Sequence, residues 1–361
     1  MEQHHSGGEV MKIRIIESDE MEMWDKFVFT HKLGSLYHTS LWRELIESVY
    51  GHQPLYLIIE DGKGDITAGL PLFLVHDKIT GNRLSSVPGA HFCNPLVSTQ
   101  EMYDRLINFV LDFKEKNNVK YLELKTSSAF PFDNRKFGKA MYGYSTYILN
   151  IDPSLETIHS SFHNSCVQRA IKKSYKSNIE LAVAESVQEV QDFYQLYLKM
   201  RKDAGLLPQP YKFFSSMWKI MSPKQHIDIL HAKHADSIIS TILLLKYKNT
   251  VIYEYGASIP EMLSLRPSHF LLWESIKRSK LQGYKEFDFG RTADEDTGLS
   301  DFKRRWGTEK ESLPYYYIPN VSGFASIRRW SLSRNIMHYS IKHMPDSCCS
   351  FMGKVLYKKL V

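Results

Sequence analysis

Two acidic residues and one arginine lie where strands of a sheet are predicted to end. The sequence of Lys285–Gly290 predicts a strand that contains Asp288, and Arg291 follows its carboxyl end. Glu254 lies in the predicted strand before it. Ligands bind at the carboxyl ends of parallel strands, so we expect Arg291 to bind a substrate phosphate or carboxylate through its bidentate guanidinium. The alternative is that Asp288 and Arg291 pair and fix the turn after the strand.

The two carboxylates are candidates for a general base. Strand alternation predicts Glu254 on the face opposite Tyr253 and Tyr255. A half-buried carboxylate with a raised pKa can take the proton from an amine that attacks an acyl group, and Glu254 and Asp288 are the best placed acids for it. Either is alternatively a buried partner of an Arg or Lys. Proximity of the reactants also lowers the barrier without a dedicated base.

A basic helix face is predicted between residues 157 and 179, a stretch without Asp or Glu. Arg169, Lys172, Lys173 and Lys176 recur at i, i+3, i+4 and i+7, so they share one face. Like charges on one face suit a polyanion such as a diphosphate, a tRNA or a lipid headgroup. A solvated face is the alternative.

The elements that position these residues occur twice along the chain. Each copy is predicted as a strand hairpin, then a helix, then a short closing strand. Such a repeat predicts an α/β (α+β) protein of two tandem domains, each a mixed sheet flanked by helices. The first copy comprises Leu55–Glu60, Thr67–His76, Glu101–Lys116 and Tyr121–Lys125, and the second Ile227–Ala232, Ile238–Lys246, Thr250–Tyr255, Ser268–Lys280 and Lys285–Gly290.

The repeat divides the chain into four predicted segments. Residues 1–10 are a disordered tail, 11–149 the first domain, 150–320 the second domain with a helical insertion, and 321–361 a basic helical tail. In residues 338–361, an apolar stripe lies beside lysines. This tail is predicted either to pack on the first domain or to lie on an anionic membrane surface.

Composition excludes several classes of protein. The 361 residues include 43% hydrophobic and 24% charged residues, which excludes a disordered or fibrous chain. No apolar run reaches the ~18–20 residues of a membrane-spanning helix, and the four cysteines have no metal-ligand spacing. We expect a cytoplasmic protein, peripheral at the inner membrane face if the tail binds lipid, with no bound metal or cofactor. The net charge of +6 is too small to indicate a DNA-binding protein.

Four motifs in order carry a resemblance to a known family. They are YEYGAS (253–258), LLWE (271–274), FDFGR (287–291) and DFKRRWG (301–307). The series resembles the FemAB-like transferases, the peptidoglycan-bridge and exopolysaccharide-associated branch of the GNAT superfamily. The similarity extends from about residue 34 to 317. It implies two tandem GNAT-like domains, in agreement with the repeat.

The resemblance also implies roles for individual residues. Lys303 matches the lysine of the family's FK motif, which implies a cation that stabilises an oxyanion or holds a donor phosphate. A solvated basic run is the alternative. We expect Arg291 and Lys303 to point into one cleft. The same motifs imply further substrate contacts from Tyr253, Tyr255, Trp273, Arg304 and Trp306.

The activity implied is transfer of an aminoacyl or acyl group to an amine or hydroxyl of a cell-envelope glycan or peptide precursor. A GNAT enzyme that uses acyl-CoA has a Gly-rich loop before its central helix, whereas Leu265–His269 contains no glycine and includes Pro267. The missing loop is what an aminoacyl-tRNA donor predicts, although a nonstandard acyl-CoA site also fits. The alternatives are an acetyl-CoA-dependent N-acetyltransferase and a non-catalytic protein that binds a glycolipid or RNA.

Overall fold

A computed structural model of the chain describes residues 12–76, 81–134, 137–319 and 338–360. The predicted disordered tail, residues 1–10, lies outside them. The strands are β1 (Lys12–Ile15), β2 (Gln53–Glu60), β3 (Ile66–Val75), β4 (Arg83–Ser85), β5 (Tyr121–Lys125), β6 (Ala140–Met141), β7 (Tyr144–Asn150), β8 (Glu180–Val183), β9 (Ile227–His234), β10 (Ser237–Tyr247), β11 (Thr250–Ser258), β12 (Glu286–Asp288), β13 (Thr292–Ala293), β14 (Glu309–Ser312) and β15 (Tyr315–Ile318). The helices are α1 (Met21–Thr30), α2 (Ser40–Tyr50), α3 (Gln100–Lys116), α4 (Leu155–Ser161), α5 (Arg169–Tyr175), α6 (Val187–Asp203), α7 (Tyr211–Met221), α8 (Pro267–Leu281), α9 (Thr297–Arg304) and α10 (Asp346–Leu360).

The described residues form two compact units. The first holds residues 12–47, 51–142 and 314–319. Its seven-stranded sheet has the order β1-β2-β3-β4-β5-β15-β6. The apolar face of α3 packs on this sheet through Tyr103, Leu106 and Val110, which are fully buried at helical spacing.

The second unit holds residues 48–50, 143–313 and 338–360. Its eight-stranded sheet has the order β13-β7-β12-β11-β10-β9-β8, and β14 pairs with β7. Helix α8 contacts β9, β10 and β11, and its residues Phe270, Leu271 and Ile276 belong to the core cluster of this unit. Helix α6 contacts the same three strands.

Corresponding strands have the same pairing in the two units. β4 and β5 are parallel and joined by α3, and β11 and β12 are parallel and joined by α8. An antiparallel hairpin precedes each pair: β2-β3 in the first unit and β9-β10 in the second. The predicted mixed α/β fold with two tandem domains of the same strand arrangement is therefore confirmed.

The boundary between the units differs from the predicted one at residue 149/150. β7 pairs with β12, β13 and β14, so the chain from residue 143 lies in the second unit. β15, which follows that unit in the sequence, pairs with β5 of the first. Local sequence patterns predict strands but do not specify the distant strand with which each one pairs.

Helix α10 packs against α6 in the second unit. Lys202 donates to Asp346 at 2.6 Å, and the hydroxyls of Tyr194 and Ser350 lie 3.1 Å apart. These contacts differ from the predicted packing of the tail on the first domain. Residues 320–337, which carry part of the predicted basic tail, lie outside the described residues. In the part of the chain that the structure describes, no helix is long and apolar enough to cross a membrane.

Candidate active site

The site begins where the parallel strands β11 and β12 stop pairing. Their register runs from Thr250 opposite Glu286 to Ile252 opposite Asp288. Beyond this point β11 continues to Ser258, whereas the backbone after β12 turns at Gly290 (φ 75°) and continues as β13, which pairs with β7. Glycine suits this turn because a side chain disfavours positive φ. The carboxyl ends of the two strands are thus no longer bridged to each other, and the predicted site residues lie around them.

A bulge in β11 changes the predicted orientation of its tyrosines. Tyr255 is opposite Leu243 and Tyr253 is opposite Leu244, so Glu254 is the extra residue. Because one residue is added, Tyr253 and Tyr255 point to opposite faces and not to the same face as predicted. The ring of Tyr255 packs 5.1 Å from that of Phe214 in α7. Tyr255 therefore belongs to an aromatic cluster with α7, on the face opposite Tyr253.

Lys303, near the end of α9, is a buried cation. Only 3% of its surface is exposed, and its Nζ donates to the carbonyl oxygen of Gly290 at 2.7 Å. Burial lowers the pKa of Lys303 to about 8, while the nearby carboxylates of Asp288, Asp296 and Glu254 oppose this shift. The prediction of a solvated basic run is wrong for Lys303. A buried ammonium with donors beyond the one used for Gly290 can stabilise a negative charge.

Asp288 fixes the turn after β12. Its Oδ1 accepts from the Gly290 amide at 2.7 Å and from the Thr146 hydroxyl. Burial raises the pKa of Asp288, although these two hydrogen bonds and the charge of Lys303 favour the carboxylate. Asp288 therefore has both predicted features: it stabilises the turn after the strand, and its pKa is raised. Its partners are Thr146, Gly290 and Lys303 and not the predicted Arg291.

Arg291 lies away from Lys303. It is exposed, and its guanidinium carbon lies 4.7 Å above the ring of Tyr144. The Lys303 ammonium lies 5.9 Å from the ring of Tyr147. Tyr144 and Tyr147 are three residues apart on β7, so they project to opposite faces. The expectation that Arg291 and Lys303 share one cleft is therefore corrected: the short β13 turns Arg291 to the other side.

The two predicted tryptophan contacts are parts of the core. Trp273 in α8 packs against Phe162 with ring centroids 5.5 Å apart. Trp306 is fully buried, and its ring stacks on His269 at 5.7 Å with an interplanar angle of 27°. Neither indole is placed to touch a substrate directly. Trp306 instead supports His269, which lines the cavities described next.

A basic cavity of about 470 Å³ lies beside α5 and the start of α8. Arg169 and Lys173, one turn apart on α5, contribute two of its cations. Arg266 and Arg305 contribute two more from distant parts of the chain. Four cations around one cavity of this size suit a ligand with several negative charges. Of the four basic residues predicted to share one helix face, Arg169 and Lys173 line this cavity, whereas Lys172 is exposed on α5 outside the cavity lining.

Sequence reasoning missed Arg266 and Arg305. Arg266 adopts left-handed backbone (φ 66°) and directly precedes α8, in the segment where a Gly-rich loop is absent. Arg305 follows Arg304 in the DFKRRWG motif, and the backbone direction after α9 decides which of the two enters the cavity. Arg304 pairs with Asp301 and lines a neighbouring cavity of about 400 Å³. The sequence offered one signal for them: Arg266 lies where the Gly-rich loop is absent, and Arg305 lies within the DFKRRWG motif.

A second cavity, of about 290 Å³, adjoins the basic one. Tyr253 and Leu272 line it, and it shares Arg266, His269 and Phe302 with the basic cavity. Burial lowers the pKa of His269 to about 4, so its ring is neutral at pH 7. Tyr253 is next to the bulge at Glu254, and Phe302 is next to Lys303. The two cavities together are therefore lined by four cations at one end and by Tyr253, Leu263 and Leu272 at the other.

Comparison with known proteins gives one family match and several similar chains. A family model described as an acetyltransferase (GNAT) domain matches residues 163–304. The lipid II:glycine glycyltransferase of Staphylococcus haemolyticus (strain JCSC1435) is 36% identical over 97 residues, which are 25% of this chain and 23% of that protein. The aligned segment thus spans about a quarter of this curated relative.

Two solved structures share the fold. The crystal structure of FemX aligns with a TM-score of 0.68 at 15% identity, over 84% of this chain and 96% of that one. A tandem GNAT protein from the clavulanic acid biosynthesis pathway aligns with a TM-score of 0.50 at 10% identity, over 85% and 98% of the two chains. The resemblance to the FemAB-like transferases of the GNAT superfamily is confirmed by these matches together.

Proposed function

We propose that the second unit transfers an aminoacyl group from aminoacyl-tRNA to an amine of a lipid-linked cell-wall precursor. The observation that carries the proposal is the basic cavity with its four cations, which shares Arg266, His269 and Phe302 with a second cavity. Arg169, Lys173, Arg266 and Arg305 would bind donor phosphates. The cavity lined by Tyr253 and Leu272 would hold the acyl group.

The reaction forms a bond from the acceptor nitrogen to the acyl carbon and breaks the ester bond of the donor. The carbonyl oxygen becomes negative in the transition state, and the Lys303 ammonium would donate to it. The attacking amine loses a proton, and the ribose hydroxyl of the donor gains one as it leaves. Glu254 and Asp288 remain the two candidates for the base, and both lie close enough to Lys303 to influence its pKa.

The residues at the start of α8 bear on whether the donor is aminoacyl-tRNA or acyl-CoA. Pro267 occupies the first position of α8 and has no amide hydrogen, and Arg266 before it supplies a side-chain cation. Side-chain cations would therefore replace the backbone amides with which a Gly-rich loop holds a pyrophosphate. This exchange favours a nucleic-acid donor over acetyl-CoA. A second candidate function is an acetyl-CoA-dependent N-acetyltransferase with an unusual phosphate site.

The acceptor class is proposed from the similar glycyltransferase, whose name gives lipid II as its substrate. Lipid II-like precursors offer a peptide amine on a lipid anchor. The protein would therefore act at the inner face of the membrane. The amine would have to approach the turn after β12, because Lys303 donates to Gly290 there.

The test is transfer of a radioactive aminoacyl group by the purified full-length protein. A panel of radiolabelled aminoacyl-tRNAs is mixed with lipid II in detergent, and labelled lipid is counted after extraction. A parallel reaction contains labelled acetyl-CoA as donor. We expect labelled lipid II from at least one aminoacyl-tRNA and none from acetyl-CoA. Transfer from acetyl-CoA alone would support the second candidate, and binding of lipid II without transfer from either donor would support a non-catalytic role.

A further inference from the structure

Helix α10 carries an exposed face on which apolar and basic residues alternate. Phe351, Lys354, Val355 and Lys358 are all exposed, and their spacing of three and four residues places them on one side of the helix. Phe351 is 65% exposed and Val355 is 48% exposed. We refer to these four residues as the tail surface. Large apolar side chains this exposed and adjacent to one another indicate an interaction surface.

The other side of α10 holds the helix in place. Cys349 and Gly353 are buried, and a side chain at Gly353 would collide with the backbone of Pro208. The hydrogen bond between Ser350 and Tyr194 lies on the same side. One side of the helix therefore packs on the second unit, and the opposite side, which carries the tail surface, faces solvent.

The positive charge of this region indicates an anionic partner. Asp346 is the single acidic residue in the sequence from 338 to 360, and it is paired with Lys202 at 2.6 Å. The helical turn at residues 338–343 adds Tyr339, which is 68% exposed, and the exposed Lys342. Net positive charge around exposed aromatic and aliphatic groups matches an anionic lipid surface, where lysines contact headgroups and apolar side chains enter the interface.

We propose that the tail surface binds anionic phospholipid bilayers. Lys354 and Lys358 contact lipid phosphates, while Phe351 and Val355 insert between headgroups. The binding is that of a peripheral helix and does not require the transferase activity. If the acceptor is lipid-linked, membrane binding would raise the concentration of the enzyme near its acceptor. Only this benefit for catalysis rests on the proposed function; the membrane binding itself does not.

The experiment is sedimentation of the full-length protein with vesicles. One set contains phosphatidylcholine alone, and the other contains equal amounts of phosphatidylcholine and phosphatidylglycerol. We expect binding to the anionic vesicles that weakens at high salt, and little binding to the neutral ones. Each lysine near an anionic surface accounts for about fivefold in partitioning, so Lys354→Gln with Lys358→Gln should lower it by more than tenfold. Phe351→Ser with Val355→Ser should lower it at both salt concentrations.

Matched variants separate the tail surface from general charge and hydrophobicity. Lys219→Gln with Lys224→Gln removes two exposed lysines elsewhere in the second unit, and Leu281→Ser removes a side chain that is 81% exposed. Both should bind vesicles like the parent protein. Equal binding of the tail and control variants, or no binding of the parent protein to anionic vesicles, would overturn the proposal. So would self-association of the parent protein that Phe351→Ser abolishes without any vesicle binding, because the surface would then fit a second copy of the chain.

Discussion

Replacement of Lys303 by methionine separates a catalytic from a structural role of the buried ammonium. Methionine is unbranched and only one heavy atom shorter than lysine, so it fills most of the same space, but the charge and the hydrogen bond to Gly290 are lost. If the ammonium stabilises the oxyanion, the transition state loses about 2.7–4 kcal/mol, and kcat falls about 100- to 1,000-fold. The assay is the transfer of labelled aminoacyl groups to lipid II under saturating acceptor.

The stability of the same variant follows from the pKa of Lys303. A decrease from the ordinary 10.5 to about 8 means that holding the cation in the folded protein costs about 3 kcal/mol, at ~1.36 kcal/mol per pH unit. Methionine removes this cost, while the buried carbonyl of Gly290 loses its donor, which costs about 1–3 kcal/mol. We therefore expect the free energy of unfolding at pH 7 to change little. Urea titrations of both proteins measure it.

The lowered pKa of Lys303 also determines how the free energy of unfolding changes with pH. Below pH 8 Lys303 is protonated in both folded and unfolded chains, so the cost is fully present. Between pH 8 and 10.5 the unfolded chain binds more protons, so stability rises with pH relative to Lys303→Met. Activity behaves in the opposite way and falls above pH 8 as the ammonium is lost. An activity that rises through pH 8 would instead identify Lys303 as a base.

Lys246 provides the matched control. It is also a buried lysine of the second unit, and it pairs with Asp228 at 2.7 Å. Lys246→Met leaves that carboxylate without its cation and should lower the free energy of unfolding by on the order of 2 kcal/mol, with transfer activity per folded molecule unchanged. The reasoning is refuted if Lys303→Met loses stability as Lys246→Met does and keeps its activity.

Three further predictions concern the other site residues. Arg169→Gln with Lys173→Gln should raise the Kd for aminoacyl-tRNA at least tenfold and weaken the salt dependence of binding. Lys172→Gln with Lys176→Gln on the same helix should change neither quantity. Filter binding of aminoacyl-tRNA at several salt concentrations measures both. Asp288→Ala should lower the free energy of unfolding by about 1–3 kcal/mol because the Gly290 amide loses its acceptor. Asp288→Asn keeps an oxygen acceptor and should retain most of that stability. If Asp288→Asn also retains full kcat, Asp288 is not the base. Tyr255→Ala should lower the unfolding free energy by roughly 2–4 kcal/mol, and Tyr253→Ala should affect transfer kinetics more than thermal stability; the reverse result would contradict the assignment of the two faces.

Local patterns in the sequence determined the elements of each domain. Alternating apolar residues predict the strand Tyr121–Lys125 with the bounds found, and the helical period of Glu101–Lys116 predicts α3 to within one residue. These patterns are local because a strand or helix buries one face regardless of its distant neighbours. The order of hairpin, helix and closing strand therefore predicted the tandem domains. The motifs also identified Asp288 and Lys303, which lie together in the structure.

Tertiary structure alone decided how the site is assembled. The bulge at Glu254 arises from pairing with Leu243 and Leu244 on another strand, and it reverses the face on which Tyr255 lies. The basic cavity combines residues from α5, the start of α8 and the end of α9, so its charge is spread over about 140 positions of the chain. The turn at Gly290 sends Arg291 away from Lys303 because β13 pairs with β7. Each of these features depends on contacts between residues far apart in sequence, whose geometry is set only when the sheet closes around them.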